Sequence, residues 1–284
     1  MKIGLPVVQN FSGADRYFER LASGLNQLGY NASLIFYPHA LEFACWLLKY
    51  AFRRPLDFDI IHTKAEYGFA FDVGSTPLVL TLAHSVFDPV YSNYKSKPQQ
   101  AYHQYVLRPN ILKSLAQATR VVTVSEFSRQ RIAEDFGYPH ARVVYNGVDE
   151  NQFRPLPARN GNGRKQVRLL FTGNLIRRKG ADILPEVMRR LGKDYLLYYT
   201  CGLRTKSAAP PCENMKPLGR LNDVDLVQAY NDCDIFLFPS RLEGFGYPVA
   251  EAMACAKPVV TTDCASMPEL IDEGRGGYRC EVDN

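Results

Sequence analysis

The sequence Pro-Ser-Arg-Leu-Glu-Gly-Phe-Gly-Tyr-Pro-Val-Ala-Glu-Ala-Met, residues 239–253, carries the strongest local signals in this chain. It follows residues 234–238, a short apolar run of the kind that forms a buried strand. Gly244 and Gly246 permit backbone angles closed to other residues, and Pro248 suits the first position of a helix. These signals predict a strand, a glycine-rich loop and a helix whose first amides attract anions.

Two carboxylates accompany this loop. Glu243 lies within the loop, and Glu251 lies one turn into the predicted helix. An ionised carboxylate accepts hydrogen bonds and cannot donate them, so sugar hydroxyls are its natural partners beside a phosphate-binding helix start. The pattern indicates a nucleotide-sugar site. The alternative is an ordinary loop with two solvated acids.

Length and composition exclude several classes of protein. A chain of 284 residues can form one large or two modest domains. The net charge of +5 is too small to indicate a nucleic-acid partner. The seven cysteines are scattered without paired C-x-x-C spacing, which indicates reduced thiols in a cytoplasmic protein and gives no support for zinc.

Apolar strand-like runs alternate with helical patterns, which predicts parallel sheets covered by helices. The strand candidates are 2–8, 31–37, 58–63, 77–83, 120–125, 141–145, 167–172, 195–201, 234–238 and 258–262. The helix candidates are 14–28, 98–117, 126–136, 181–191, 223–232 and 248–255. A stretch rich in Pro, Gly, Asn and Arg separates two such series. We predict an α/β protein with two doubly wound domains, 1–155 and 167–284, joined by a linker over 156–166 and facing a central cleft.

The paired glutamates, the Gly-Phe-Gly between them, and the runs Ala252-Met-Ala-Cys255 and Pro258-Val-Val-Thr-Thr262 resemble glycosyltransferase family 4. That family consists of retaining, nucleotide-sugar-dependent enzymes with the GT-B fold, built from two Rossmann-like domains. The resemblance implies that Glu243 lies beside the donor sugar and that Glu251 binds the ribose diol. It also implies that the sugar and diphosphate contact the loop residues Gly244, Phe245, Gly246 and Tyr247. Family members usually continue with further helices, so we expect the C-terminal domain to be incomplete at Asn284.

A second match is Leu170-Phe-Thr-Gly173 followed by Asn-Leu-Ile-Arg177-Arg178-Lys179-Gly180. The resemblance implies that the cations of this loop hold the donor diphosphate, and Lys179 fits the pattern directly. Asn174 stands where the family commonly has Arg, so either Arg177 or Arg178 could supply the first positive charge. The alternative is an exposed basic turn.

The N-terminal half contributes further candidates. By the same resemblance, Gly13 lies close to the donor phosphates and His84, at a strand end, reaches the donor sugar or the reaction centre. Asp15 is read equally as a helix cap or a ligand contact. We interpret His62 as a packing residue and Ser125 as a helix cap.

Two other segments have competing interpretations. Residues 40–54 hold the only Trp and end in two Arg, which is typical either of a helix buried on the sheet, our preferred reading, or of a helix lying on a membrane. Asp223-Val-Asp225 resembles a metal-binding D-x-D motif, but acids here favour the start of a helix.

The sequence therefore predicts a retaining glycosyltransferase that transfers a hexosyl group from a UDP- or GDP-sugar to a glycan or lipid-linked acceptor, in glycan or cell-surface polysaccharide biosynthesis. Lys179 and a neighbouring Arg would stabilise the leaving diphosphate, so no metal cofactor is expected. Glu243 and His84 would orient the sugar. The cytoplasmic protein could contact the inner face of the membrane peripherally. The alternatives are a non-catalytic nucleotide-sugar-binding protein, or a sugar-nucleotide epimerase or phosphorylase on the same fold.

Overall fold

The computed structural model describes residues 1–10, 13–51, 57–71, 74–157, 166–201 and 212–283. The chain forms two compact units, Met1–Tyr145 and Asn146–Asn284. The division falls before the predicted boundary at residue 155, because Phe153 is buried in the second core, edge-on to Tyr230 with ring centroids 6.1 Å apart. Residues 158–165 of the predicted linker lie outside the described residues.

The first unit is a six-stranded parallel sheet with the strand order β2-β1-β3-β4-β5-β6. Its strands are β1 (Lys2–Val8), β2 (Asn31–Tyr37), β3 (Ile60–Lys64), β4 (Leu78–Thr81), β5 (Arg120–Thr123) and β6 (Arg142–Val143). Its helices are α1 (Gly13–Gln27), α2 (Leu48–Ala51), α3 (Pro89–Ser92), α4 (Lys97–Tyr102), α5 (Arg108–Gln117) and α6 (Glu126–Phe136). A π-helical segment, His103–Leu107, joins α4 to α5, so the predicted helix 98–117 is one helical region with a change of pitch.

The second unit is also a six-stranded parallel sheet, with the order β12-β11-β10-β7-β8-β9. Its strands are β7 (Val167–Phe171), β8 (Tyr195–Thr200), β9 (Met215–Gly219), β10 (Ile235–Phe238), β11 (Val259–Thr262) and β12 (Gly277–Cys280). Its helices are α7 (Leu184–Leu191), α8 (Asp223–Asp232), α9 (Tyr247–Ala254) and α10 (Met267–Leu270). The strand order reverses between β7 and β10, and such a switch point is where open α/β sheets bind ligands.

The predicted α/β architecture with two doubly wound sheets is confirmed. The sequence reading missed β9 and β12, which form the two edges of the second sheet. Strand β9 contains Pro217, and edge strands tolerate proline and mixed polarity because one side needs no partner. These strands therefore lack the continuous apolar pattern that reveals a central strand.

Helix starts follow local capping chemistry. The Ser125 hydroxyl accepts a hydrogen bond from the Ser128 amide at 3.0 Å, as the predicted cap of α6. Helix α8 begins at Asp223, but its cap is Asn222, whose side chain accepts from the Asp225 amide at 2.8 Å. The acids Asp223 and Asp225 thus occupy the first turn of a helix, as predicted.

The segment that contains the only Trp is not one buried helix. It forms two 3₁₀ turns, His39–Glu42 and Cys45–Leu47, followed by the short helix α2. Leu48 is buried, but Trp46 is 60% exposed, so our preferred reading of a buried helix is wrong for this side chain. Residues 52–54 of the predicted helix lie outside the described residues. Of the helices in the described ranges, none is both long and apolar enough to span a bilayer.

Candidate active site

The candidate site lies at the carboxyl edge of the second sheet. Strand β10 pairs in parallel with β7, so the loops that leave both strands start side by side. The loop after β7 ends in a 3₁₀ turn, Arg177–Lys179, and the loop after β10 leads through Glu243 to helix α9. Two segments more than sixty residues apart in the sequence thus meet at the switch point.

Lys179 and Glu243 form the central contact. The Lys179 Nζ lies 3.0 Å from Oε1 of Glu243, and both side chains are only 13% exposed. The Arg178 guanidinium lies 3.6 Å from the same oxygen, and the Ser240 hydroxyl donates to it at 3.0 Å. Burial alone would raise the pKa of Glu243, but the positive charges of Lys179 and Arg178 more than offset it and hold the pKa below its ordinary value.

Glycines make this close approach feasible. Gly180 has a φ of 70°, and a Cβ there would lie 2.0 Å from the Pro239 carbonyl oxygen. The Arg241 amide donates to the Arg178 carbonyl at 2.9 Å, which joins the two loops through their backbones. Any larger residue at position 180 would force the loops apart and separate Lys179 from Glu243.

Arg241 fastens the same two loops with its side chain, a role that the sequence reading missed. The buried guanidinium contacts the Asp182 carboxylate at 2.6 Å and 3.2 Å, and its Nε donates to Asp283 at 2.7 Å. Its Nη1 also donates to the Arg177 carbonyl. In the sequence this arginine is indistinguishable from any other cation of a loop. Only the folded chain shows that it joins the loop after β7 to the loop after β10.

The glycine-rich loop has the predicted geometry at its second glycine. Gly246 has a φ of 100° and caps α9, which starts at Tyr247, one residue before the predicted start. A Cβ on Gly246 would lie 2.4 Å from the Met267 Cε, so packing also favours glycine. Gly244 lies in the bend before it. Phe245 has a buried side chain, so its predicted donor contact would have to come from its backbone.

Glu251 is buried on α9 within a hydrogen-bonded chain. The Tyr230 hydroxyl on α8 donates to Glu251 Oε2 at 3.1 Å, and the Thr172 hydroxyl lies 3.1 Å from the Tyr230 oxygen. Sequence reading identified Glu251 but not its partners. Tyr230 lies three residues after Val227 on the inner face of α8, so its position predicts only a core residue.

The predicted cations do not all share one environment. The Arg177 side chain is 77% exposed, and its Nε lies 3.5 Å from Asp182. Arg178 and Lys179 instead converge on Glu243. Of the two arginines proposed to replace the family's usual one, Arg178 is therefore the one that shares the position of Lys179.

The candidates of the first unit lie at the carboxyl ends of β1 and β4. Gly13 is the first residue of α1, and Asp15, in the first turn of this helix, accepts hydrogen bonds from the Asn10 amide at 3.0 Å and 3.2 Å. His84 is exposed three residues after β4, with its ring edge-on to Tyr91. His62 contacts Thr81 at 2.7 Å, and burial lowers the pKa of His62 to about 4, in agreement with a packing role.

Comparison with known families gives a class to this architecture. The family model for Glycosyl transferases group 1 matches residues 166–284, and the model for Glycosyltransferase Family 4 matches residues 36–152. Each compact unit therefore matches a glycosyltransferase domain, and the two matches together place the chain among the glycosyltransferases. More narrowly, the chain belongs to the family-4-like glycosyltransferases, as the resemblance of its motifs predicts.

Curated relatives support this membership. A GDP-mannose-dependent phosphatidylinositol monomannoside mannosyltransferase of Mycobacterium tuberculosis is 30% identical, over 59% of this chain and 50% of that protein. The O-antigen chain mannosyltransferase B of Escherichia coli is 26% identical, over 68% of this chain and 55% of that protein. The chain thus spans about half the length of the curated relatives it matches.

Solved structures share the fold. HepE of Anabaena, in complex with UDP and glucose, has a TM-score of 0.74 at 19% identity, over 98% of this chain and 85% of that one. A sucrose-phosphate synthase from Thermosynechococcus elongatus has a TM-score of 0.79 at 15% identity, over 99% of this chain and 86% of that one. At these identities the likeness shows the fold alone, and that fold is GT-B.

Proposed function

We propose that this protein is a retaining glycosyltransferase that transfers a hexosyl group from a UDP- or GDP-sugar to a glycan or lipid-linked acceptor. One observation carries the proposal: Lys179, Arg178 and Glu243 converge in a largely buried cluster at the switch point of the second sheet. The helix that follows supplies Glu251, the second carboxylate of the family motif. The names of the relatives support GDP- and UDP-linked hexoses as the first donors to test.

The chemistry follows from where charge develops. When the sugar leaves, its anomeric carbon gains positive charge and the diphosphate gains negative charge. Lys179 and Arg178 stabilise the diphosphate, and a fixed donor in such a site typically contributes about 3 kcal/mol to transition-state stabilisation. We assign to Glu243 the orientation of the sugar, with His84 as the residue from the first domain. Fixed side-chain cations would then do the work of a metal ion.

The proposal is tested by thermal shift with UDP-, GDP- and ADP-hexoses, since a ligand that binds only the folded state raises the melting temperature. A donor that shifts the transition is then assayed for turnover, with and without EDTA and with and without glycan acceptors. Binding without turnover would favour the non-catalytic alternative. Conversion of the donor without any acceptor would favour an epimerase. No shift with any of these donors would contradict the proposal.

We further propose that the first domain contacts an anionic membrane surface through an aromatic face, defined as Phe43, Trp46, Tyr50 and Tyr105, all of which are exposed. The two segments that carry it are neighbours. The ring of Phe43 lies 5.8 Å from that of Tyr102, one helical turn before Tyr105. Lys49, which is exposed, directly precedes Tyr50 of this face, and its amine and that of Lys113 lie 5.9 Å and 5.1 Å from the centre of the buried Phe69 ring. Aromatic side chains beside lysines suit the interface of an anionic bilayer.

Flotation with vesicles tests this contact. We expect binding to vesicles of phosphatidylglycerol and phosphatidylcholine, but not to phosphatidylcholine alone. The double variant Phe43→Ala/Trp46→Ala should bind at least about tenfold more weakly, because it removes apolar area from the face. Tyr278→Ala removes an exposed aromatic residue of the second unit and serves as the control. Equal binding by the double variant and the control would exclude the aromatic face as the contact.

A further inference from the structure

Tyr230 links the loop after β7 to the carboxylate on α9. Its side chain is fully buried, with the ring edge-on to Phe153 and Phe236 at centroid distances of 6.1 Å and 5.4 Å. Its hydroxyl lies 3.1 Å from both the Thr172 hydroxyl and Glu251 Oε2. Burial raises the pKa of Tyr230 well above its ordinary value, and the hydroxyl therefore keeps its proton at any working pH.

The direction of these hydrogen bonds follows from donor chemistry. Glu251 accepts a hydrogen bond from the Tyr230 hydroxyl, so the phenolic oxygen is left to accept a hydrogen bond from Thr172. Thr172 is the first residue after β7, and the ring of Tyr230 is held in place by its contacts with Phe153 and Phe236. The chain therefore fixes one oxygen of Glu251 relative to both the sheet edge and the helix. A glutamate with three side-chain torsions has many rotamers, and this contact selects among them.

We propose that Tyr230 is a positioning residue that orients the Glu251 carboxylate for the ribose hydroxyls of the donor. By holding Glu251 in place, Tyr230 sets the preference of the site for ribonucleotides over deoxyribonucleotides. This inference rests on the proposed function, because it takes Glu251 as the residue that recognises the ribose.

The experiment compares dissociation constants measured by calorimetry for UDP and GDP and for their 2′-deoxy and 3′-deoxy forms. The variant Tyr230→Phe removes only the hydroxyl, and Thr172→Val removes the donor behind it without changing side-chain shape. In the wild type, we expect the ribonucleotide to bind about tenfold or more tightly than a deoxy form, as typical for a hydrogen bond to a charged group. In Tyr230→Phe that ratio should fall towards one, while the affinity for the deoxy forms stays the same.

The control is Tyr198→Phe, the same substitution on β8, where the ring stacks on Arg168 with 5.9 Å between the guanidinium carbon and the ring centre. It should keep the wild-type ratio. A wild-type ratio in Tyr230→Phe would overturn the positioning role while leaving the proposed function intact. A ratio near one in the wild-type protein itself would overturn the role of Glu251, and the role of Tyr230 with it. If Tyr230→Phe does not fold, Thr172→Val alone decides.

Discussion

Replacing Lys179 with methionine separates the contribution of its charge from that of its stem. The variant loses a charge-assisted hydrogen bond of 3.0 Å, for which about 1.5–3 kcal/mol is typical. Arg178 and Ser240 remain in contact with Glu243, so we expect the free energy of unfolding to fall by about 2 kcal/mol, near the lower end of that range. Turnover should fall by about a hundredfold, because a fixed donor to the leaving diphosphate contributes about 3 kcal/mol to the stabilisation of the transition state.

The assay measures donor turnover and the midpoint of urea unfolding for each variant. Lys179→Met/Glu243→Gln removes both charges of the pair and should not recover turnover. Its free energy of unfolding, compared with those of the two single variants, gives the interaction energy of the pair. Lys193→Met, the same substitution at an exposed position of the second domain, should match the wild type in both measurements. Wild-type turnover in Lys179→Met would refute the assignment of this lysine to the diphosphate.

Three further changes test other parts of the site and its domain. Ala256 is exposed and has a φ of 55°, where glycine is favoured, so Ala256→Gly should raise the free energy of unfolding by up to about 1 kcal/mol. The control Ala250→Gly lies within helix α9, where glycine is unfavourable, and should lower the free energy of unfolding. The pKa of Glu243 is lower in the folded protein than in the unfolded chain, so its contribution to stability is present above about pH 4.5 and is lost as the pH falls through the folded pKa. The urea midpoints measured at pH 7 and pH 4 should therefore differ more in the wild type than in Glu243→Gln. Arg241→Met removes the hydrogen bonds to Asp182 and should lower the free energy of unfolding by about 2 kcal/mol, as is typical for hydrogen bonds to charged groups. Arg241→Lys should recover only part of this loss because lysine lacks the planar guanidinium, and a urea midpoint equal to the wild type in Arg241→Met would contradict the role of Arg241 in joining the loops.

Two alanines of the second unit have a left-handed backbone. Ala256 and Ala265 have φ angles of 55° and 52°, in the region that glycine adopts without strain. The structure therefore places an alanine at two positions where its backbone is strained, which the sequence alone does not show.

The sequence by itself determined the class of fold and the local machinery of the loops. Strand and helix periodicity, the cap at Ser125 and the left-handed turn at Gly246 all depend on residues within a few positions of one another. Such short-range patterns depend only on neighbouring residues, so the sequence is sufficient to predict both Rossmann-like units and the glycine-rich loop.

Only the tertiary structure decided which side chains meet. The order of the strands places β10 beside β7, and that neighbourhood brings Lys179 rather than Arg177 to Glu243. The same packing makes Arg241 a tie between loops and Tyr230 the partner of Glu251. These contacts join residues that are tens of positions apart, and local periodicity holds no information about which distant loops a sheet will bring together.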